Sequence, residues 1–340
     1  MVRLKNGKSL QYLYVGVPEW SNGLASRANG LVPTQVRALP PTCSQNRFKY
    51  TSPFYADMKK VVLGYIFSGS RPDKDEKLFI KLAKKKNIQI VPINTSKDIG
   101  LNELEEKIKK CDVIYNSTAI EFAVEFKKTI EELGKKVIEP AETYYFIEDK
   151  WMFFVKCLEN KIPTPDTILL SDNSSVAKKE LKKFDHWPVV LKRVWGTMGE
   201  FVQIAKNIDE AMKKIKGFWK KGNERLPIIA QEFISSPSYR VTVIGDKVVQ
   251  TAIKTNKSWK ATGVYAKKFK KFEVDEELKK IIKKLIKISK MSVFGVDLFK
   301  KNDKWVVVEI NAEPAFDFFE NEREKLISEV LAFLKTKKSR

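Results

Sequence analysis

The chain has 340 residues, 43% of them hydrophobic, and 64 Lys and Arg against 42 Asp and Glu give a net charge of +22. That apolar share fits a globular protein with core enough for two domains or one large one, and no apolar run reaches membrane-spanning length. Three scattered cysteines (Cys43, Cys111, Cys157) without a CxxC pair, and the single histidine His186, exclude a disulfide framework, a Cys/His zinc site and a histidine-dependent triad.

Residues 1–57 read as a foreign leader. They hold four Arg and three Lys, whereas six Arg and fifty-one Lys follow from Met58 onward. The leader shows neither helical nor strand periodicity. Residues 34–40 and 24–29 can be written in codons that contain the T-arm and the anticodon stem-loop of a transfer RNA. The expectation is an unstructured leader read through a tRNA gene, with translation starting at Met58; a genuine disordered basic tail is the alternative.

From Met58 strands and helices alternate. Apolar runs at 61–67, 88–93, 111–115 and 137–138 are predicted strands, with helices over 75–86, 101–109 and 120–133 between them. This is the βαβ pattern of a small doubly wound parallel sheet over 58–142. One long helix is predicted from about Thr143 to Asn160, ending at Ile162-Pro-Thr-Pro165. Strands at 188–193 and 201–205, with a helix over 208–221, form a central α+β unit within 143–226. The last block, 227–340, opens with the strand 227–234. It continues with strands 239–244 and 248–254 and a helix over 275–290 rich in solvated lysines. The lysine surplus therefore reads as helix faces that can steer anions, not as a nucleic-acid stripe. No basic-then-apolar signal pattern opens the chain, so a cytoplasmic location is expected.

The chemistry gathers near the end. Gly295-Val-Asp-Leu-Phe299 and Val306-Val-Val-Glu-Ile-Asn311 are two apolar strands around Lys301-Asn302-Asp303, a predicted hairpin. Glu309 and Asn311 share a face by strand alternation. A three-residue loop would set Asp297 on that face one diagonal step from Glu309. Two carboxylates and an amide oxygen suit Mg²⁺ with positions left for phosphate. An ordinary solvated edge hairpin would show the same residues. Upstream, Lys192 closes an apolar strand before Gly196-Thr197-Met198-Gly199, where glycines let backbone N–H groups turn toward phosphates. Gln231-Glu232-Phe233-Ile234 ends another apolar run and could face an adenine. Arg240, one of few arginines, and Lys260 are the downstream cations suited to a phosphoryl group or a carboxylate.

Asp149-Lys150-Trp151, Ile162-Pro-Thr-Pro165, Lys192, the 196–199 loop, 231–234, Arg240, Trp259-Lys260, Asp297 and Glu309-Ile-Asn311 occur in series. The series resembles the ATP-grasp superfamily, and within it the RimK-type α-L-glutamate ligases and LysX-like ligases, over residues 61–331. The resemblance implies two α+β subdomains enclosing ATP behind the N-terminal parallel sheet. It implies that Lys150 and Lys192 contact the phosphates, that Gly196, Thr197, Met198 and Gly199 close over them, and that Gln231, Glu232, Phe233 and Ile234 hold adenine. Arg240 and Lys260 would stabilise the transferred phosphoryl group. Asp297, Glu309 and Asn311 would hold Mg²⁺, or Mn²⁺ in its place. Phe201 stands where the loop usually has another glycine, Ser238 where an Asp precedes the strand arginine, Thr262 for an Asn and Ala315 for a Gly.

The implied activity is an ATP-dependent carboxylate–amine ligase that adds glutamate or another amino acid to a carboxylate acceptor, a small molecule or a protein tail. No protein nucleophile is needed, which agrees with the missing histidine chemistry. A small-molecule kinase on the same fold, for instance on an inositol phosphate, and a non-catalytic nucleotide- or RNA-binding protein are the competing classes. Nucleic acid and membrane are not expected as partners; a homo-oligomer is compatible with the sequence.

Overall fold

The computed structural model describes residues 60–97, 100–196, 201–220, 226–255, 268–316 and 318–338, all within the unit Asp57–Arg340. The expected leader, 1–57, lies outside the described residues.

The first domain comprises β1 (Val61–Phe67), α1 (Lys74–Lys85), β2 (Ile88–Asn94), α2 (Leu101–Lys109), β3 (Val113–Asn116), α3 (Glu121–Glu132) and β4 (Val137–Ile138). Its four strands pair in parallel in the order β2-β1-β3-β4. β1 is apolar on both faces because helices cover both sides of a parallel sheet. α1 starts at a capping box, with Asp73 accepting from the Glu76 N–H and Glu76 accepting from the Asp73 N–H. Ile66, Ile93 and Ile114 pack with Leu104 and Ile108 of α2 and Ile130 of α3 on one face.

The long helix expected over 143–160 is two helices, α4 (Glu142–Ile147) and α5 (Lys150–Glu159). The break has a local cause. Asp149 is extended (φ −92°, ψ 96°) and its carboxylate accepts the Met152 N–H, so it caps a new helix instead of continuing the old one. β5 (Thr167–Leu170), α6 (Ser174–Phe184), β6 (Val189–Arg193), β7 (Val202–Ala205), α7 (Ile208–Lys220) and β8 (Ile228–Glu232) come next. They build an antiparallel sheet in the order β5-β8-β6-β7. The strand expected to open the last block thus lies inside the central sheet. Ile228, Ile229 and Ala230 are buried on both faces, the environment of an interior strand.

The C-terminal part holds β9 (Ser238–Ile244), β10 (Lys247–Thr255), β11 (Lys268–Lys270), α8 (Glu276–Ser289), β12 (Val293–Lys301), β13 (Lys304–Asn311) and α9 (Arg323–Thr336). The sheet order is β11-β10-β9-β12-β13. Leu278, Ile281, Ile282 and Leu285 of α8 pack on Phe294, Val296, Leu298 and Val307. α9 then returns to the first domain. Its Ile327, Val330, Leu331 and Leu334 join Leu63, Tyr65, Phe79 and Leu82 in one core and cover the second face of the parallel sheet. No helix among the described residues is long and apolar enough to cross a membrane.

Candidate active site

The β12–β13 hairpin turns on Asn302 and Asp303 alone, both with positive φ (50° and 60°), and pairs Lys301 with Lys304. This is the geometry of a tight two-residue hairpin turn, shorter than the three-residue loop expected. By itself it would set Asp297 opposite Val308. A bulge inserts an extra residue on β13 between the partners of Asp297 and Leu298, and brings Asp297 directly opposite Glu309. Asn311 reaches the same group from two pairs further along, on the same face: its Nδ2 donates to Asp297 Oδ2 at 3.1 Å. That orientation leaves its carbonyl oxygen as an acceptor.

Register extends this face across the sheet: Glu309 lies opposite Asp297, Asp297 opposite Arg240, and Arg240 opposite Ala252. Arg240 Nη1 donates to Asp297 Oδ2 at 2.6 Å, and Lys254 Nζ donates to Oδ1 at 3.0 Å. Burial would push the Asp297 carboxyl up, but Arg240, then Lys254 and the hydrogen bonds outweigh it and hold the group down at about 2. The carboxylate is therefore ionised, the state a cation requires. Gly295 makes room for Arg240, since a Cβ there would fall on the guanidinium. The Arg240 Nε is buried without an acceptor among the described residues, so the guanidinium retains a donor.

Lys254 was not singled out from the sequence. The available signal was its spacing: two residues beyond Ala252 on β10, it shares the Arg240 face. Lys260, expected in this role, lies outside the described residues, as do Thr197, Met198 and Gly199.

Lys192 is the penultimate residue of β6 on the central sheet and is 8% exposed. Among the described residues no carboxylate forms an ion pair with it. Burial lowers its pKa; Glu309 opposes that shift, Lys150 adds to it, and Asp297 opposes it again. The two lysines and the two carboxylates therefore share one electrostatic environment. Lys150 Nζ donates to the Gly196 carbonyl at 2.8 Å, and its backbone N–H to Val194 O at 3.2 Å, tying the start of α5 to the segment just after β6. Gly196 has φ +137°, a region open to glycine.

The 231–234 segment passes from the central sheet toward β9. Gln231 is buried and its Nε2 donates to Thr167 Oγ1 at 3.0 Å, a bond within the sheet. The Glu232 carboxylate accepts the Asp166 N–H at 3.1 Å and pairs with Lys301 at the tip of the β12–β13 hairpin. Phe233 and Ile234 lie beyond the end of β8, so their backbone groups are outside the strand ladder. A groove of ≈ 420 Å³ lined by Gln203, Glu210, Lys213, Lys214, Gly217 and Phe218 contains none of these residues. The polar convergence around Asp297 therefore lies apart from this groove.

A parallel-sheet domain followed by an antiparallel α+β unit and a second antiparallel sheet is the ATP-grasp architecture. A RimK-domain ATP-grasp protein from Sphaerobacter thermophilus shares the fold with TM-score 0.64 and 16% identity, over 80% of this chain and 99% of that one. D-alanine–D-alanine ligase from Bacillus anthracis, solved with ATP, does so with TM-score 0.62 and 19% identity, over 82% and 97%. The RimK-like ATP-grasp domain model matches residues 147–332, and the chain belongs to that family. It is 27% identical over 220 residues to coenzyme γ-F420-2:α-L-glutamate ligase of Methanocaldococcus jannaschii, covering 62% of this chain and 74% of the relative. It is 26% identical to α-aminoadipate–LysW ligase LysX of Saccharolobus solfataricus, covering 72% and 90%.

Proposed function

We propose that the chain is an ATP-dependent carboxylate–amine ligase that forms an acyl phosphate and joins glutamate or another amino acid to a carboxylate acceptor. One observation carries this reading: Arg240, Lys254 and Asn311 converge on Asp297, directly opposite Glu309. Asp297, Glu309 and Asn311 offer a hard cation two carboxylates and an amide oxygen, and would hold Mg²⁺. When bound, the ion would neutralise phosphate charge.

Lys150 and Lys192 would meet the phosphates beneath the 196–199 loop. The backbone of Phe233 and Ile234, beyond the β8 ladder, would face the adenine edge, with Glu232 and Gln231 holding that segment in place. Arg240 and Lys254, with Lys260, would balance the charge of the moving γ-phosphoryl group. A substrate carboxylate oxygen bonds to the γ-phosphorus as ADP leaves; the amine nitrogen then bonds to the acyl carbon as phosphate leaves. The relatives named as glutamate and LysW ligases support an amide-forming outcome, and the acceptor is a carboxylic acid of their general kind.

The test is ADP release by the full chain, with Mg²⁺, across a panel of carboxylates and amino acids, with mass spectrometry of the products. Release that requires both substrates and yields an amide is expected. A phosphorylated product without amide overturns the ligase reading in favour of a kinase.

A further inference from the structure

The segment leaving β13 is fastened on both sides of the site. Glu313 Oε1 accepts the Ala119 N–H at 2.6 Å, and Phe316 packs against the core shared by the first domain and α9. Further on, Glu322 accepts from Gln250 Nε2 at 3.0 Å and pairs with Lys271, while Arg323 pairs with Asp75 of α1. Between these anchors sits Phe318, 8% exposed. The Lys254 Nζ stands 5.7 Å from its ring centroid, within cation–π range. Phe269 braces the ring at 4.9 Å from β11, where it is the register partner of Lys254.

An ammonium is a compact, strongly hydrated charge. At the edge of a reaction centre it would ordinarily carry water to whatever it neutralises. Here the Lys254 side chain is only 3% exposed, with Asp297 on one side and the Phe318 ring on another. The ring covers one side of the ammonium.

Resting on the ligase reading, we propose that Phe318 is a positioning residue that acts through Lys254 to keep water from the acyl phosphate. In the productive path the amine nitrogen bonds to the acyl carbon while the carbon–oxygen bond to phosphate breaks. In the leak a water oxygen bonds to the same carbon, phosphate leaves, and the free carboxylate returns with one ATP consumed. Phe318 acts on the partition between these two paths.

The measurement is amide formed per ADP released by the full chain. Wild type is expected near one amide per ADP. Phe318→Ala is expected to raise carboxylate-dependent ADP release without amine about fivefold or more, bringing the ratio measurably below the wild-type value. Phe318→Tyr, which keeps the ring, is expected to hold the ratio. A general loss of folded enzyme lowers both products together and leaves the ratio unchanged. Phe318→Leu serves the same comparison should the alanine variant fail to fold. A wild-type ratio retained by the ring-less variants overturns this role while the ligase reading stands. Absence of any amide from wild type overturns the ligase reading itself, and this role with it.

Discussion

Lys254 Nζ lies 3.0 Å from Asp297 Oδ1, a buried contact between an acid on β12 and a lysine two strands away on β10. Arg240 occupies the intervening strand and takes the other carboxylate oxygen. Breaking one arm of such a buried set leaves charge poorly compensated, at a cost of about 3–5 kcal/mol when a sole partner is lost outright. Lys254→Met is expected to destabilise by less than that, because Arg240 still pairs with Asp297. It should slow turnover by roughly 10²–10³-fold if Lys254 stabilises charge in transfer. Urea unfolding and single-turnover ADP release separate the two effects; unchanged turnover would remove Lys254 from the chemistry.

Gly295 is held to glycine by space. Gly295→Ala puts a methyl group into the Arg240 guanidinium. We expect about 1–3 kcal/mol of destabilisation from the forced displacement, together with loss of activity as Arg240 leaves Asp297. Chemical denaturation of the variant checks the first, and its ADP release the second. A variant as stable as wild type would mean that the guanidinium moves without cost.

Glu309 forms no ion pair among the described residues and is half-buried. Glu309→Gln is therefore expected to leave stability within about 0.5 kcal/mol of wild type while removing the Mg²⁺ dependence of ADP binding. Calorimetric titration with ADP, with and without Mg²⁺, is the check. Retained Mg²⁺ dependence would exclude Glu309 as a ligand.

Glu139 gives a pH-dependent prediction. Its Oε1 accepts the N–H groups of Ser292 and Val293 at 3.0 and 2.8 Å, linking the residue after β4 to the start of β12, and its Oε2 is buried without a partner among the described residues. Burial raises the carboxyl from 4.5 to about 7, against the two backbone hydrogen bonds and the Lys127 charge. The folded state thus binds this proton more tightly than the unfolded chain. Its stabilising effect is complete below about pH 4.5 and is lost as pH rises through about 7, in total on the order of 3 kcal/mol. Glu139→Gln should remove this contribution to the slope of stability against pH in that window. Denaturation midpoints measured from pH 4.5 to 7.5 test it; an unchanged slope would place the titration elsewhere.

Lys192 reverses the usual relation between stability and activity. Its ammonium is buried and disfavoured there, so Lys192→Met is expected to raise the melting temperature by a few degrees, as ~1 kcal/mol does in a protein of this size. Nucleotide affinity should fall in the same variant. Thermal unfolding and ADP titration give the two readouts, and a lowered melting temperature would contradict the reasoning.

Strand alternation around Asp297, Glu309 and Asn311 was legible because a carboxylate and an amide two residues apart in an apolar run must share a face. The direct opposition of Asp297 and Glu309 was not, because it depends on two left-handed turn residues and a bulge that leave no periodic trace. The helix break at Asp149 could have been read from an acid able to cap a helix beginning at Lys150, but the apolar spacing runs on across it. Placement of β8 in the central sheet is a matter of long-range pairing with β5 and β6. Lys254 was hidden by abundance: among fifty-one lysines after Met58, composition cannot single out the one that tertiary packing buries.

The return of α9 to the first domain makes the two ends of the described fold interdependent. Val61 and Leu63 share a core with Phe79 and Leu82 of α1 and with Val330, Leu331 and Leu334 of α9, so this face of the parallel sheet is fully covered only once α9 has been made. During synthesis that face, packed by α1 alone, would stay partly open through the emergence of both other sheets. A first domain excised at about residue 142 would carry that open face permanently, so it should be exchanged between relatives only together with the last helix.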